Sequence, residues 1–252
     1  ADGALSAWDL MINVEPVDVE GERLFILFMR DISAEKEKAM IERIFFHDVL
    51  NPLNGLSGTI DLVKRGEASR EILDLFDHTF QEIYSTIREQ QELSHAEAGD
   101  LRVNPQKIYP SELLQKTAHS LERSGKYSTV IRIESPDRER PVYVDPVLTG
   151  RVLTNMLKNA LEATESSEEI CAGLRYEQDR VTFFVWNPGY IPKDVQWQIF
   201  GRSFSTKGPG RGLGTYSMKL IGETYLKGKV SFQSDEKSGT TFTLQLPEMT
   251  GK

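Results

Sequence analysis

Residues 145–163, DPVLTGRVLTNMLKNALEA, are the stretch of this 252-residue chain that does most to define its fold. Asp145 and Pro146 predict a helix start, because an Asp side chain caps free backbone amides and proline suits the first helical position. The helix is predicted over residues 146–164. Asn155 and Asn159 are one turn apart within it, so their amides share one helix face.

A pair of asparagines at this spacing needs an explanation, because asparagine side chains compete for backbone hydrogen bonds and disfavour helix interiors. One interpretation is a polar target such as an Mg²⁺-bound phosphate chain, since Mg²⁺ prefers oxygen ligands. The alternative is that Asn155 and Asn159 belong to a hydrated outer face. The helix by itself leaves both interpretations open.

Short strands and helices alternate on both sides of this helix, which predicts an α/β domain over about 101–248. The other predicted helices cover 111–123 and 214–227. The predicted strands are 101–104, 129–134, 141–144, 169–176, 180–186, 228–234 and 240–246.

Two loops of this domain have the composition of ligand-binding segments. Trp186-Asn187-Pro188-Gly189-Tyr190-Ile191-Pro192 ends a strand with an amide and a glycine, which would suit the edge of a planar ligand such as adenine. Residues 200–215, FGRSFSTKGPGRGLGT, run into a helix, where glycines, Lys207 and Arg211 would favour an anion. Either segment is also compatible with an ordinary surface loop, and the glycine spacing fits neither the P-loop nor the dinucleotide fingerprint.

The region before this domain is predicted to be a helical hairpin, with a first helix over about 33–64 and a second from Ser69. Ser33 is the expected N-cap of the first helix. Its apolar residues recur at helical spacing and predict one buried seam: Ile41, Phe45, Val49, Leu53, Leu56, Ile60 and Val63. Two amphipathic helices form only half a core, so two copies are predicted to pair as a homodimeric four-helix bundle.

His47-Asp48-Val49-Leu50-Asn51-Pro52 lies in the first helix and sets a nucleophile, an acid and an amide side by side. His47 points nearly opposite the seam, and Asn51 follows one turn later, so both should face solvent or a partner. Pro52 cannot donate to the carbonyl of Asp48 and is expected to bend the helix beside His47. These features predict a phosphorylation site.

The first 32 residues are predicted to form a β-hairpin from strands 7–18 and 23–30 around a turn at 19–22. It resembles the closing strands of a PAS sensor domain, which commonly end in a motif like Asp31-Ile32. The alternative is an arm that pairs with its own domain or with a dimer mate.

Composition excludes several classes of protein. A net charge of −8 disfavours nucleic acid and anionic membranes as partners, since both require a basic face. Cys171 is the only cysteine, so an internal disulfide and a thiol metal cluster are excluded. The longest apolar run is Leu24 to Met29, and no signal pattern is present, so this stretch is expected to be cytoplasmic without membrane contact. A membrane anchor upstream of it stays compatible with this expectation.

Taken in order, these motifs resemble those of the sensor histidine kinases of bacterial two-component systems. The His-Asp-x-x-Asn-Pro helix matches the H box of that family, the asparagine helix its N box, and residues 187–189, 204–207 and 210–214 its G1, F and G2 boxes. Ser238-Gly239-Thr240-Thr241-Phe242 resembles its closing strand. The resemblance implies an α+β chain with a β-hairpin over 1–32, a dimeric phosphoacceptor hairpin over 33–98 and an α/β sandwich ATP-binding domain over 99–252.

The resemblance also implies a set of functional residues. His47, Asp48 and Asn51 would be catalytic, and Asn159 would hold Mg²⁺. The implied nucleotide-binding residues are Asn155, Lys158, Asn159, Asn187, Gly189, Phe200, Phe204, Ser205, Thr206, Lys207, Gly210, Arg211, Gly212, Leu213 and Gly214. Two positions depart from the family pattern: Asn187 replaces the adenine-reading Asp, and Glu162 stands where many relatives have a phosphate-side Lys.

The implied function is ATP-dependent phosphorylation of His47, followed by transfer to an aspartate of a response-regulator receiver domain. Asn51 suggests an additional phosphatase activity toward that regulator. A non-catalytic dimeric phosphotransfer scaffold and a conformational ATPase are the alternatives, and Asn187 and Glu162 keep the scaffold open.

Overall fold

The computed structural model describes residues 9–19, 22–66, 69–123, 127–136, 138–165, 168–177, 179–201 and 213–247. The chain divides into two compact units, residues 1–87 and 88–252. Among the described residues, no helix has both the length and the apolar character needed to cross a bilayer.

The first unit begins with the expected β-hairpin. Strands β1 (Leu10–Val19) and β2 (Glu22–Asp31) pair antiparallel, from Leu10 opposite Asp31 to Val19 opposite Glu22. Every residue of β2 is exposed. Two strands have no interior of their own, so large apolar side chains such as Phe25 and Met29 face solvent in the single chain.

Helix α1 (Ser33–Lys64) follows the hairpin directly and continues through Pro52. The expected N-cap role of Ser33 is wrong, because the carboxylate of Asp31 accepts hydrogen bonds from both the backbone N–H and the hydroxyl of Ser33. The Ser33 hydroxyl in turn accepts from the backbone N–H of Asp9. The bond from Asp9 ties the start of α1 to the residue before β1, and the two bonds from Ser33 lower the pKa of Asp31.

Helix α2 (Arg70–Glu97) completes the helical region. Leu56 and Thr59 of α1 and Ile83 of α2 are buried, which confirms one position of the predicted seam. Other seam positions remain about 40% exposed in the single chain, for example Leu53 and Ile60. The four-helix bundle therefore stays a prediction.

In the part of the second unit that the structure describes, there are four further helices of the α/β domain and seven strands. The helices that build its core are α3 (Pro110–Arg123), α4 (Pro146–Glu162) and α6 (Leu213–Lys219), which continues as a π-helical turn over Leu220–Tyr225. A short helix, α5, covers Lys193–Gln196. The strands are β3 (Gln106–Ile108), β4 (Val130–Glu134), β5 (Val142–Val144), β6 (Glu169–Glu177), β7 (Arg180–Asn187), β8 (Lys229–Asp235) and β9 (Gly239–Pro247).

Five of these strands form one sheet in the order β4-β6-β7-β9-β8. β4 and β6 are parallel, and the other neighbours are antiparallel. Helices α3, α4 and α6 contact one another in series and also contact the sheet. Their shared core includes the fully buried side chains of Leu153, Met156 and Leu157 from α4, Phe183 from β7 and Leu244 from β9. This layering confirms the α/β sandwich predicted for the second half of the chain.

One predicted strand of this unit is wrong. Residues 101–104 are not a strand; the neighbouring strand is β3, which pairs antiparallel with β5. The backbone N–H of Asn104 donates instead to the carboxylate of Asp145, at 2.7 Å. A side-chain acceptor thus takes the place of a strand partner at this position.

Candidate functional site

Asp145 fixes the start of α4 and confirms the predicted cap. Its Oδ1 accepts hydrogen bonds from the backbone N–H groups of Val147 and Leu148, both at 2.9 Å, and its Oδ2 accepts from Asn104. The carboxylate is 3% exposed, so two buried oxygens satisfy three backbone donors. Asp145 therefore sets both the helix start and the segment that precedes β3.

The two asparagines of α4 meet at the start of α6. A Cβ built on Gly214 would lie 3.8 Å from Oδ1 of Asn155 and 3.9 Å from Oδ1 of Asn159. Both amide oxygens thus converge on one point, and the absence of a side chain at Gly214 keeps the space above them clear. Both side chains are half-buried and face the same glycine, which is compatible with the predicted polar ligand.

A pocket of about 290 Å³ opens beside this pair. Its walls come from three helices of the second unit: the last turns of α2, the polar face of α4 and the first turns of α6. The lining residues are Glu92, Leu93, Val147, Gly150, Arg151, Thr154, Asn155, Lys158, Leu213, Gly214, Ser217 and Ile221. Of the predicted nucleotide-binding residues, the structure therefore brings Asn155, Lys158, Leu213 and Gly214 together in one cavity.

Asn187 lies at the end of β7 and is 3% exposed. Its Nδ2 donates to the carbonyl oxygen of Gly189 at 3.3 Å, so the amide nitrogen holds its own loop. In this orientation the Oδ1 atom of Asn187, a hydrogen-bond acceptor, is left for donors other than Gly189. Such an acceptor can pair with the amino group of adenine.

A chain of hydroxyls supports this loop from β8 and β9. Thr240 donates to the carbonyl of Gly189 at 2.8 Å, so Ser234 must supply the proton in the 2.7 Å bond between the Ser234 and Thr240 hydroxyls. Ser234 then accepts from the backbone N–H of Ile191 at 2.7 Å. Gln196 of α5 fastens the same loop, donating to the carbonyl of Ile191 at 2.7 Å and to that of Ser234 at 3.1 Å. Sequence reasoning missed Ser234 and Gln196, whose hydroxyl and amide are common on any surface.

Two glycines permit the close approach of these segments. A Cβ on Gly189 would lie 2.9 Å from the carbonyl oxygen of Ala163, where α4 ends. Gly239 has φ +72°, and its Cβ would lie 2.3 Å from the carbonyl oxygen of Asn187. The role predicted for Gly189 was approach to a ligand, whereas the contact that the structure gives it is with the C-terminal end of α4.

Phe200 is half-buried in an aromatic cluster on the sheet. Its ring centroid is 5.6 Å from that of Phe232 and 6.4 Å from that of Phe242, and the ammonium of Lys219 lies 5.2 Å from the Phe200 ring. Phe200 therefore anchors the start of the predicted lid to the core. The rest of the predicted lid lies outside the described residues: Phe204, Ser205, Thr206, Lys207, Gly210, Arg211 and Gly212.

His47, Asp48 and Asn51 all lie in α1, as predicted, with Asn51 exposed. The predicted orientations of the His47 and Asp48 side chains fall outside the described side chains. Glu162, the unusual residue near the end of α4, accepts a hydrogen bond from the hydroxyl of Tyr127 at 3.3 Å. Its carboxylate is thus directed to a partner on the preceding segment. Among the described residues there is no group of three or more His, Cys, Asp or Glu side chains able to hold a metal.

Comparison with known proteins shows which families the chain resembles. Residues 144–250 match the family described as histidine kinase-, DNA gyrase B-, and HSP90-like ATPases. The chain is 26% identical over 231 residues to the sensor protein EvgS of Escherichia coli strain K12, a match that covers 86% of this chain and 19% of EvgS. The chain thus spans about a fifth of the length of that curated relative, and 37% of the length of RpfC of Xanthomonas campestris.

Solved structures give the same result. The catalytic domain of the histidine kinase ThkA superposes with a TM-score of 0.53 at 26% identity, over 57% of this chain and 96% of that domain. Histidine kinase ThkA in complex with the response regulator TrrA matches 94% of this chain and 75% of its own, with a TM-score of 0.60 at 20% identity. The second match shows the fold alone. The predicted resemblance is confirmed: the chain is similar to sensor histidine kinases, and its residues 144–250 match the family of histidine kinase-, DNA gyrase B-, and HSP90-like ATPases.

Proposed function

We propose that the chain is an ATP-dependent autokinase that phosphorylates His47 and passes the phosphoryl group to an aspartate of a response-regulator receiver domain. The observation that carries the proposal is the convergence of the Asn155 and Asn159 amide oxygens on Gly214, together with the pocket that Asn155, Lys158 and Gly214 line. A phosphate chain with its cation is the ligand that two such oxygens and the nearby Lys158 fit best.

The nucleotide base would bind at the loop after β7. Asn187 would accept a hydrogen bond from the adenine amino group, because its amide nitrogen is engaged by Gly189. The Ser234–Thr240 hydroxyl chain would keep this loop in place whether or not nucleotide is present. Preorganisation of this kind favours binding, because less ordering remains to be done when the ligand arrives.

The phosphates would bind along α4. Asn155 and Lys158 would contact them, and Asn159 would hold Mg²⁺ through its amide oxygen, a hard donor of the type that this cation prefers. When bound, Mg²⁺ supplies charge neutralisation to the phosphates during transfer. Phe200, Phe204, Ser205, Thr206, Lys207 and Gly210 to Gly214 are proposed to cover the nucleotide as a lid.

The transfer itself would use the H-box residues of α1. Nε2 of His47 attacks the γ-phosphorus, the bond from that phosphorus to the bridging oxygen breaks, and ADP leaves. Asp48 would hold the proton on Nδ1, which keeps the opposite nitrogen's lone pair available for attack. Positioning is the main demand, because phosphoryl transfer requires alignment and charge neutralisation more than covalent assistance.

A homodimer is supported by the apolar side chains that the single chain leaves exposed on α1 and α2. Leu53 and Ile60 of α1 and Leu73 and Phe80 of α2 are all 41–54% exposed. A second copy would cover them in a four-helix bundle, since two amphipathic helices alone form only half a core. Residues 33–98 are therefore proposed as the dimeric phosphoacceptor hairpin and 99–252 as the ATP-binding domain.

The proposed protein partner is a response-regulator receiver domain. The ThkA–TrrA structure supports this, since it contains a histidine kinase in complex with a response regulator. Asn51 is exposed on α1 one turn after His47, a position from which its amide would help to place water for regulator dephosphorylation. For the hairpin over 1–32, a PAS-derived segment is proposed, and for the whole stretch a cytoplasmic location.

The decisive experiment is incubation of the chain with γ-labelled ATP and Mg²⁺. Label that stays on the protein in alkali and is lost in acid is expected, and it should be absent from His47→Gln. His78→Gln is the matched control, because His78 is an exposed histidine of α2 and should leave labelling unchanged. Release of free phosphate without labelled protein would favour a conformational ATPase. The absence of both would favour a non-catalytic scaffold.

A further inference from the structure

An ion pair joins the end of α2 to α4 at the mouth of the proposed phosphate pocket. Nη2 of Arg151 lies 3.1 Å from Oε1 of Glu92, and the two side chains are 27% and 28% exposed. The hydroxyl of Tyr225 also donates to the backbone carbonyl of Ala96. These contacts lie within the second unit and attach the last turns of α2 to the nucleotide-binding helices.

Arg151 shares a helix face with the asparagine pair. It precedes Asn155 by four residues and Asn159 by eight, so the three side chains follow one another at one-turn spacing. Arg151 lines the same pocket as Asn155 and Lys158. The series of groups proposed to contact the phosphates therefore extends one turn toward the start of α4 and gains a second cation.

The guanidinium of Arg151 has an unused donor. Its Nη1 is buried, yet it makes no hydrogen bond to any residue that the structure describes. An unsatisfied donor on a charged group is costly, and such groups in native proteins normally have a partner. Because Arg151 lines a pocket, the missing partner would be a bound ligand. The planar guanidinium fork matches the paired oxygens of a phosphate.

We propose that Arg151 binds the phosphates of the nucleotide and that Glu92 pairs with Arg151 when no phosphates occupy the pocket. This inference rests on the proposed function. Carboxylate and phosphate oxygens compete for the same guanidinium, so nucleotide binding exchanges the Arg151–Glu92 pair for an Arg151–phosphate pair. Arg151 thereby supplies a positive charge near the start of α4. Many relatives have a phosphate-side Lys near the end of this helix, where this chain has Glu162.

The competition makes a distinctive prediction about affinity. Arg151→Met should weaken ATP binding about tenfold or more, because it removes charge-assisted hydrogen bonds to the phosphates. It should leave adenosine binding within about twofold, since adenosine has no phosphate. Glu92→Gln should instead strengthen ATP binding by about fivefold, because a competing partner worth about 1 kcal/mol is removed.

The test is titration of the whole chain with ATP, in the presence of Mg²⁺, and with adenosine, for the wild type and each variant. Arg132→Met is the matched control, since Arg132 forms ion pairs with Glu134 and Glu169 on the sheet and does not line the pocket. Arg151→Lys should recover part of the affinity that Arg151→Met loses. Circular dichroism confirms that each variant is folded before it is titrated.

Opposite effects of Arg151→Met and Glu92→Gln support the proposal. If both variants weaken ATP binding alike, the pair only fastens α2 to α4, and the proposal is overturned. If Asn159→Ala abolishes ATP binding while Arg151→Met does not change it, the inference fails and the proposed function stands. If the wild type binds no ATP, both are refuted.

Discussion

Substitution of Gly239 by alanine tests how tightly β9 is packed against the Asn187 loop, the proposed site of the nucleotide base. Gly239 has φ +72°, a conformation that costs an L-residue about 1–2 kcal/mol. Its added Cβ would also lie 2.3 Å from the carbonyl oxygen of Asn187 and 3.0 Å from Cα of Pro188. Both neighbours are backbone atoms, so the chain itself must move, which typically costs a further 1–3 kcal/mol, roughly.

Gly99 provides the matched control, because it has φ +81° and a Cβ there would meet nothing within 4 Å. Gly99→Ala should therefore lose only the conformational contribution, about 1–2 kcal/mol. Gly239→Ala should lose about 2–5 kcal/mol in total, the sum of both contributions. It should also weaken ATP binding about tenfold, because the atoms displaced belong to the Asn187 loop.

Urea unfolding of the two variants measures the stability difference, and titration with ATP measures the affinity. Equal losses of stability in Gly239→Ala and Gly99→Ala would show that the clash is absent. If Gly239→Ala kept full affinity for ATP, the Asn187 loop would not contribute to recognition of the base. Either result would refute the reasoning that connects β9 to the site.

The remaining predictions concern four side chains. Asp145→Ala should lower the free energy of unfolding, measured in urea, by about 2 kcal/mol, because it removes the α4 cap and leaves Asn104 without its acceptor. Asp145→Asn should lose less, because its amide oxygen can still accept one of these hydrogen bonds. Thr240→Val, nearly isosteric, should cost about 1–3 kcal/mol and weaken ATP binding, and unchanged values would contradict the hydroxyl chain. Burial, with a hydrogen bond to Glu134, raises the pKa of the Cys171 thiol to about 11, so alkylation at pH 8 should require urea. Because this pKa is higher in the folded state, its contribution to stability is complete below about pH 9 and is lost as pH rises toward 11. Asn51→Ala should impair dephosphorylation of a response regulator more than labelling of the kinase, and equal loss of both would count against the assignment of Asn51.

Local signals in the sequence were sufficient for the elements themselves. The Asp145-Pro146 start predicts α4 because capping and proline preference depend only on neighbouring residues. Alternation predicts the strands of the large sheet, with bounds close to those observed for β6 and β7. The strand predicted over 101–104 is wrong because its decisive partner, Asp145, is 41 residues from Asn104 in sequence.

The same distinction applies to the site. The order of the motifs along the sequence predicts the resemblance to sensor histidine kinases, and with it the proposed roles of Asn155, Asn159 and Asn187. The tertiary structure decided that Gly214 faces both α4 amides, that Gly239 and Thr240 support the Asn187 loop, and that Glu92 reaches Arg151. A motif is a local pattern and can be read along the chain, whereas a contact between Glu92 and Arg151 depends on how separate helices pack, which no spacing in the sequence encodes.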